Sequence, residues 1–298
     1  MSTAPTDQQW TIQRLLEWTK PFFERKGLDE PRLAAEILLA KALGCARLEL
    51  YTRFDRVPPP EQLAVFRELV NRAADHVPIA YLVGFKEFYS LDFEVSPAVL
   101  VPRPETEMLV ERSLELIKSG GESACFLEIG TGSGCIAVAT CKNASGVRFV
   151  ATDVSAGALE LARRNAEKHG VADRIEFVEC SGLELPADAI ADGGFDALVS
   201  NPPYVAESEL ADLPRNVKDH EPHMALHDGA DGLSFYRMFA ESSPSVLKPS
   251  GSVLIEIGES QADAVKEIFS AAGGFGPGQV WRDTVGGHER VMLFKREP

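Results

Sequence analysis

Asn201-Pro202-Pro203-Tyr204 is the stretch whose residue types could do chemistry. Asn offers a carbonyl acceptor and an amide donor on a short side chain. The two prolines lack an N–H and fix φ, which leaves the backbone carbonyls beside them free to accept from a ligand. Tyr204 adds a flat apolar face for stacking on a planar group. Together they suit a flat substrate carrying an NH₂, either a side-chain amide or the exocyclic amine of a base. As local structure the same residues read as turn punctuation. The preceding apolar run, Phe195–Ser200, predicts a buried strand, so the tetrapeptide falls just past a strand end. In open parallel sheets that carboxyl edge is where ligands bind.

A second constellation lies upstream. Glu128-x-Gly130-x-Gly132-x-Gly134, with Thr131 and Ser133 between the glycines, joins a short apolar strand (Cys125–Ile129) to helical Ile136–Ala139. The glycines allow close backbone approach to a ligand, and N–H groups at a helix start favour acceptors or anions. A dinucleotide fingerprint wants a glycine where Cys135 stands, which weakens a pyrophosphate reading. Asp153, at the end of the next predicted strand, is placed to accept from ribose hydroxyls. That role suits NAD or S-adenosylmethionine alike. Glu128 reads equally as a cofactor contact or as a strand-end acid satisfied by loop N–H groups. Loop, Asp153 and Asn-Pro-Pro-Tyr in this order point to methyl transfer to an amine or amide. His220, His223 and His227 cluster further on, but Pro222 interrupts any helix that would align them, and no metal is expected.

The elements that must hold these residues follow from periodicity. Thr11 to about His76 is helical, with Leu15, Leu16 and Thr19, then Leu33, Ile37 and Leu38, at three- and four-residue spacing. Pro78–Val101 mixes Phe85, Phe88, Phe93 and Val95 with Gly84, Ser90 and Pro97, the pattern of a β-hairpin connector. Thr106 is placed to cap a helix from Glu107 to about Ile117. Glu105 and Glu107 either close over the site or are exposed first-turn acids. Alternating strands and helices from Cys125 onward predict a doubly wound, mostly parallel sheet. The expected division is a helical domain over 1–77, a hairpin connector over 78–104 and a catalytic domain over 105–298.

Composition narrows the classes. The chain has 298 residues, 45% hydrophobic and 25% charged, ordinary for a globular protein. No apolar run reaches the roughly 20 residues of a membrane span, and Met1 to Gln9 lacks a signal-peptide pattern, so a cytoplasmic location is expected. Five scattered cysteines without a C-x-x-C pair read as reduced thiols. Net charge is −15, unevenly placed: residues 1–90 carry 12 basic and 12 acidic side chains, the remainder 18 and 33. An acidic catalytic part argues against extended contact with a phosphate backbone.

With these residues in view, the chain resembles the release factor glutamine N5-methyltransferases, the PrmC/HemK family. The carrying stretches are Pro78–Gly84, Glu87-Phe88-Tyr89, Val101–Glu107, Glu128–Gly134, Asn201–Tyr204, Glu221-Pro222, Asp231-Gly232-Leu233 and Glu256-Ile257-Gly258. Pro102-Arg103-Pro104-Glu105-Thr106-Glu107 is the most specific of them. The resemblance implies a seven-stranded Rossmann-like class I fold using S-adenosylmethionine, behind an N-terminal helical bundle that docks the substrate. The implied substrate is the Gly-Gly-Gln glutamine of class 1 peptide chain release factors. Carried over by position, Gly130–Gly134 would line the methionine and ribose end of the cofactor and Asp153 its ribose hydroxyls, with Asn201–Tyr204 on the amide. Family members usually carry an acidic residue and then an aromatic near the adenine. Ser181 and Gly182 stand at those positions here, so the adenine contact is lost or supplied elsewhere. A monomer with no membrane or direct nucleic-acid partner is expected. The rival readings are a glutamine methyltransferase acting on a ribosomal protein, an N6-adenine or other exocyclic-amine nucleic-acid methyltransferase, and a non-catalytic cofactor-binding adaptor.

Overall fold

The computed structural model describes residues 9–120, 123–284 and 286–297; the signal-peptide reading rests on residues 1–8, outside these. The chain forms two compact units, one ending at Gly84 and including Arg215–His220, the other comprising Phe85–Pro214 and Glu221 onward.

The first unit is helical: α1 (Ile12–Lys26), α2 (Pro31–Leu43), α3 (Arg47–Tyr51), α4 (Pro60–Ala74) and α5 (Ile79–Val83). The Thr11 hydroxyl accepts from the Arg14 amide at the start of α1, and prolines open α2 and α4, where a missing N–H costs nothing. Ile12, Phe23, Leu38, Leu39, Leu50 and Ala73 form a dry centre. The expected connector is shorter than its sequence suggested. Ile79–Val83 is helical, packed through Leu82 and Val83 on that same core and closed by Gly84. A five-residue apolar run is ambiguous between strand and helix, and burial decides it.

The second unit opens with the hairpin β1 (Phe85–Phe88) and β2 (Leu91–Glu94). Its turn residues Tyr89 and Ser90 both have positive φ, as a tight two-residue turn demands. Then come α6 (Glu107–Gly120), β3 (Ala124–Ile129), α7 (Cys135–Asn143), β4 (Val147–Asp153), α8 (Ala156–His169), β5 (Ile175–Glu179) and β6 (Phe195–Ser200). The loop after β6 contains α9 (Arg215–Lys218), whose residues belong to the first unit. The chain ends with α10 (Ser234–Ser242), β7 (Leu247–Glu256), α11 (Ala262–Ala272), β8 (Gln279–Arg282) and β9 (Glu289–Lys295). Among the described residues these strands make one seven-stranded sheet in the order β5-β4-β3-β6-β7-β9-β8. β9 runs antiparallel to β7 and β8, and the other neighbours are parallel. α10 stops at Ser242, because Pro244 opens a 3-10 turn at Ser243–Ser245 and cannot continue the helix.

One consequence positions the site. From β3 the order runs outward to β4 and β5 on one side and to β6 and β7 on the other. The crevice at the carboxyl ends of β3 and β6 is therefore the topological switch point. The glycine loop leaves β3 there, and Asn201 leaves β6 beside it. This is the seven-stranded, Rossmann-like architecture that the resemblance implied.

Candidate active site

A cavity of about 350 Å³ opens at that switch point, within the size range of small-molecule sites. Its walls include Gly130, Thr131, Gly132, Ser133, Asp153, Ser181, Gly182, Asn201, Pro202 and Pro203, so two stretches far apart in sequence meet in one space. Thr152 continues the sheet beneath them, its hydroxyl donating to the Glu128 carbonyl at 3.1 Å.

The glycine loop forms a cradle. Gly130 and Gly132 both have positive φ, and a Cβ at either would meet nothing within 4 Å, because it would project into open space. Asp153 braces the loop: Oδ2 accepts from the Gly132 amide at 2.9 Å and Oδ1 from the Ser155 amide at 3.0 Å. Burial raises its pKa, against the pull of those N–H donors. Its remaining acceptor capacity lies on the cavity wall, suited to the hydroxyls of a nucleoside. Gly134 is not on that wall. A Cβ there would sit 3.1 Å from Ala162 Cβ, so this glycine lets α7 pack closely on α8.

Glu128 is fully buried beneath the loop and does not line the cavity. Its Oε2 accepts from the Thr131 hydroxyl at 2.8 Å, while Oε1 completes no hydrogen bond among the described residues. Burial pushes this carboxyl up to about 8, and the Thr131 contact only partly opposes it. A carboxyl raised above its unfolded value of about 4.3 binds its proton preferentially in the folded state. Its contribution is therefore fully present below about pH 4.3 and declines as pH rises towards about 8. Glu128→Gln removes that decline. Its melting temperature relative to the parent should climb between about pH 5 and about pH 8, by about 2–4 °C for each kcal/mol. Parallel melting curves across that range would show that Glu128 stays ionised.

The Asn201 end is held by a buried chain of polar groups. Asn201 Nδ2 donates to Thr106 Oγ1 at 3.0 Å, and Thr106 Oγ1 donates to Glu256 Oε2 at 2.7 Å. Glu256 is 1% exposed, and burial lifts its carboxyl to about 7. Tyr204 is partly buried against Glu256, its hydroxyl 3.4 Å from Oε1, and burial raises the phenol's pKa. Tyr204 does not line the cavity. Its backbone is fixed from outside: Gln261 Nε2 donates to the Tyr204 carbonyl at 2.9 Å, and Gly232 lies so close that a Cβ would stand 2.3 Å from the same oxygen. Asp231-Gly232-Leu233 and Glu256-Ile257-Gly258 thus belong to the packing behind Asn201-Pro202-Pro203-Tyr204.

The acids before α6 take other places. Glu107 Oε1 accepts from the Tyr89 amide at 2.7 Å, which ties α6 to the hairpin. Neither Glu105 nor Glu107 lines the cavity; Pro102, Arg103 and Thr106 of the same run do. Thr106 ends a 3-10 turn (Pro104–Thr106), and its hydroxyl goes to Glu256 rather than to a helix N-terminus. Glu221, fully buried, accepts from Arg103 Nη2 at 2.7 Å and from the Val101 amide at 3.0 Å. This joins two wall segments, Pro102-Arg103 and Pro222–Ala225. Of the three histidines, His223 lines the cavity, and His220 contacts the Asp75 carbonyl inside the helical unit. Phe235 of α10 supplies an aromatic wall to the same cavity as Ser181 and Gly182, and Met238 packs on Gly182. Sequence reasoning missed Thr106 and Glu256 as site residues. An acid closing an apolar strand, one of the two readings given to Glu128, also describes Glu256.

Residues 14–84 match the family described as PrmC N-terminal domain, and residues 106–216 match the methyltransferase small domain. A release factor glutamine methyltransferase of Rhodopirellula baltica is 42% identical, over 99% of this chain and 100% of its own length. That of Geobacter sulfurreducens is 43% identical, over 89% of this chain and 90% of its own. A solved methyltransferase from Pyrococcus furiosus shares the fold with a TM-score of 0.51 and 22% identity, covering 76% of this chain and 99% of that one. With the glycine cradle, the strand-end acid and Asn201-Pro202-Pro203 around one cavity, and with relatives more than 40% identical over 99% and 89% of its length, the chain belongs to the release factor glutamine methyltransferase family and is a methyltransferase.

Proposed function

We propose that this protein methylates the side-chain nitrogen (N5) of the glutamine in the Gly-Gly-Gln motif of class 1 peptide chain release factors, in the cytoplasm, with S-adenosylmethionine as the methyl donor. The observation that carries the reading is the Asn201 amide, held by Thr106 on the wall of the cavity that also contains the glycine cradle. The cradle residues Gly130–Ser133 and the Asp153 carboxylate fit the amino-acid and ribose parts of that cofactor, and Phe235, Ser181 and Gly182 form a wall for the base. When bound, S-adenosylmethionine supplies an electrophilic methyl group.

The chain's own residues then have to aim an unreactive nitrogen. An amide lone pair is delocalised into its carbonyl, so the nitrogen is a poor nucleophile. Asn201 Oδ1 and the Pro202 backbone carbonyl are the two acceptors for the amide hydrogens. Holding both hydrogens orients the nitrogen and favours pyramidal geometry, and orientation alone can be worth roughly 7–11 kcal/mol. No strong base is needed before attack, because the alkylated nitrogen loses its proton readily.

The reading is tested by kcat/KM for an intact class 1 factor, a short Gly-Gly-Gln peptide, a ribosomal protein and DNA, at low and high salt. Residues 1–90 are electrically balanced, and the net negative charge lies in the remainder. We propose that the acidic part steers a basic partner and that the helical unit grips it away from the glutamine, so the peptide should be poorer by at least about tenfold. Salt should lower the intact factor's rate more than the peptide's, since steering fades over a Debye length of about 8 Å. Preference for the ribosomal protein or DNA overturns the substrate, and equal use of peptide and factor removes the docking role.

A further inference from the structure

We infer that Thr106 and Glu256 are positioning residues that set which end of the Asn201 amide faces the cavity. The inference rests on the reading of Asn201 as the residue that holds the substrate amide. Asn201 needs to present its oxygen to an NH₂ group. Presenting its own NH₂ would set donor against donor. Nothing in an isolated asparagine chooses between these two orientations, which have nearly the same shape.

The structure supplies the choice. Parallel pairing of β6 with β7 sets Ser200 opposite Ile255, so the next residues, Asn201 just past β6 and Glu256 at the end of β7, are neighbours. Thr106 arrives between them from the 3-10 turn before α6. A hydroxyl has a single proton. When the Thr106 proton goes to the Glu256 carboxylate (2.7 Å), the oxygen can only accept from Asn201. Asn201 must then turn Nδ2 towards Thr106 and Oδ1 the other way. Thr106 is 3% and Glu256 1% exposed, so a wrong orientation leaves a buried group unpaired.

The direction of the chain depends on the charge at its far end. Around the Glu256 carboxyl are the hydroxyls of Thr106 and Tyr204, the charge of Glu105, which raises its pKa, and that of Arg290, which lowers it; burial dominates. The Tyr236 hydroxyl donates to the Glu256 carbonyl at 3.1 Å. Once protonated on Oε2, Glu256 becomes a donor to Thr106. The Thr106 proton is then released towards Asn201 and admits the inverted amide. Activity should therefore fall on the acid side of about pH 7, the value to which burial lifts this carboxyl.

The test is single-turnover methylation of an intact release factor from about pH 5.5 to about pH 9, with S-adenosylhomocysteine affinity measured by calorimetry. Thr106→Val should lower the rate roughly 100-fold, with KM and S-adenosylhomocysteine affinity within about threefold of the parent. Thr106→Ser, which restores the hydroxyl, should recover most of the loss. Glu256→Gln, which accepts from Thr106 but cannot change charge, should stay active and lose the acid limb. Adding Thr106→Val to Asn201→Ala should cost almost nothing further, because the two act as one unit. If Asn201→Ala alone leaves the rate intact, the reading of Asn201 is at fault. If Asn201→Ala is crippled but Thr106→Val is not, the positioning role alone is wrong. Full additivity, no recovery in Thr106→Ser, or an unchanged acid limb in Glu256→Gln each overturns it as well.

Discussion

Asn201→Ala should bind S-adenosylhomocysteine within about threefold of the parent while its single-turnover rate falls roughly 100- to 1,000-fold. The Asn201 side chain lies on the cavity wall with Nδ2 engaged by Thr106, and Oδ1 is left for a substrate amide. A contact made mainly as the nitrogen pyramidalises lowers turnover when it is lost, with little effect on ground-state binding. The loop and Asp153, which brace one another, do not depend on it. Calorimetry beside rapid-quench methylation measures both quantities. A large drop in cofactor affinity at unchanged rate would move Asn201 from the substrate to the cofactor.

Asp153→Ala is expected to show the opposite division. Loss of charge-assisted hydrogen bonds to ribose should weaken the cofactor by about 1.5–3 kcal/mol, with saturated turnover within a few-fold of the parent. Asp153 also accepts from the Gly132 and Ser155 amides, so its removal loosens the cradle. Asp153→Asn separates the two effects, since it keeps one acceptor oxygen for the loop and loses the charge. If Asp153→Asn binds normally and Asp153→Ala does not, the residue is a strut. If both bind normally, the ribose lies elsewhere.

Much of this molecule was legible in the order of its residues. The helical periodicity of the first unit, the strands ending at Ile129, Asp153 and Ser200, and α8 over Ala156–His169 follow from local pattern. So does the location of the cavity, because alternating strands and helices build a sheet whose carboxyl edge must carry both the glycine loop and Asn201. Local rules failed where one run had two local solutions: Ile79–Val83 reads as strand or helix until the core of the first unit takes one face of it.

The sequence by itself determined the class of chemistry. Glycines, a strand-end acid and Asn-Pro-Pro-Tyr are short, contiguous signals whose meaning depends on residue type and spacing. What only the tertiary structure decided is which groups stand behind them. Thr106, Glu256, Glu221 and Gln261 reach the site from distant segments, through β6–β7 register, a 3-10 turn and loop closure. Each is a polar residue whose role is set by a partner far along the chain, and spacing carries no trace of that partner. A buried hydroxyl or carboxyl must find a hydrogen-bond partner wherever the fold puts one. Thr106 therefore donates to Glu256, distant in sequence, rather than to the α6 start that it was expected to cap.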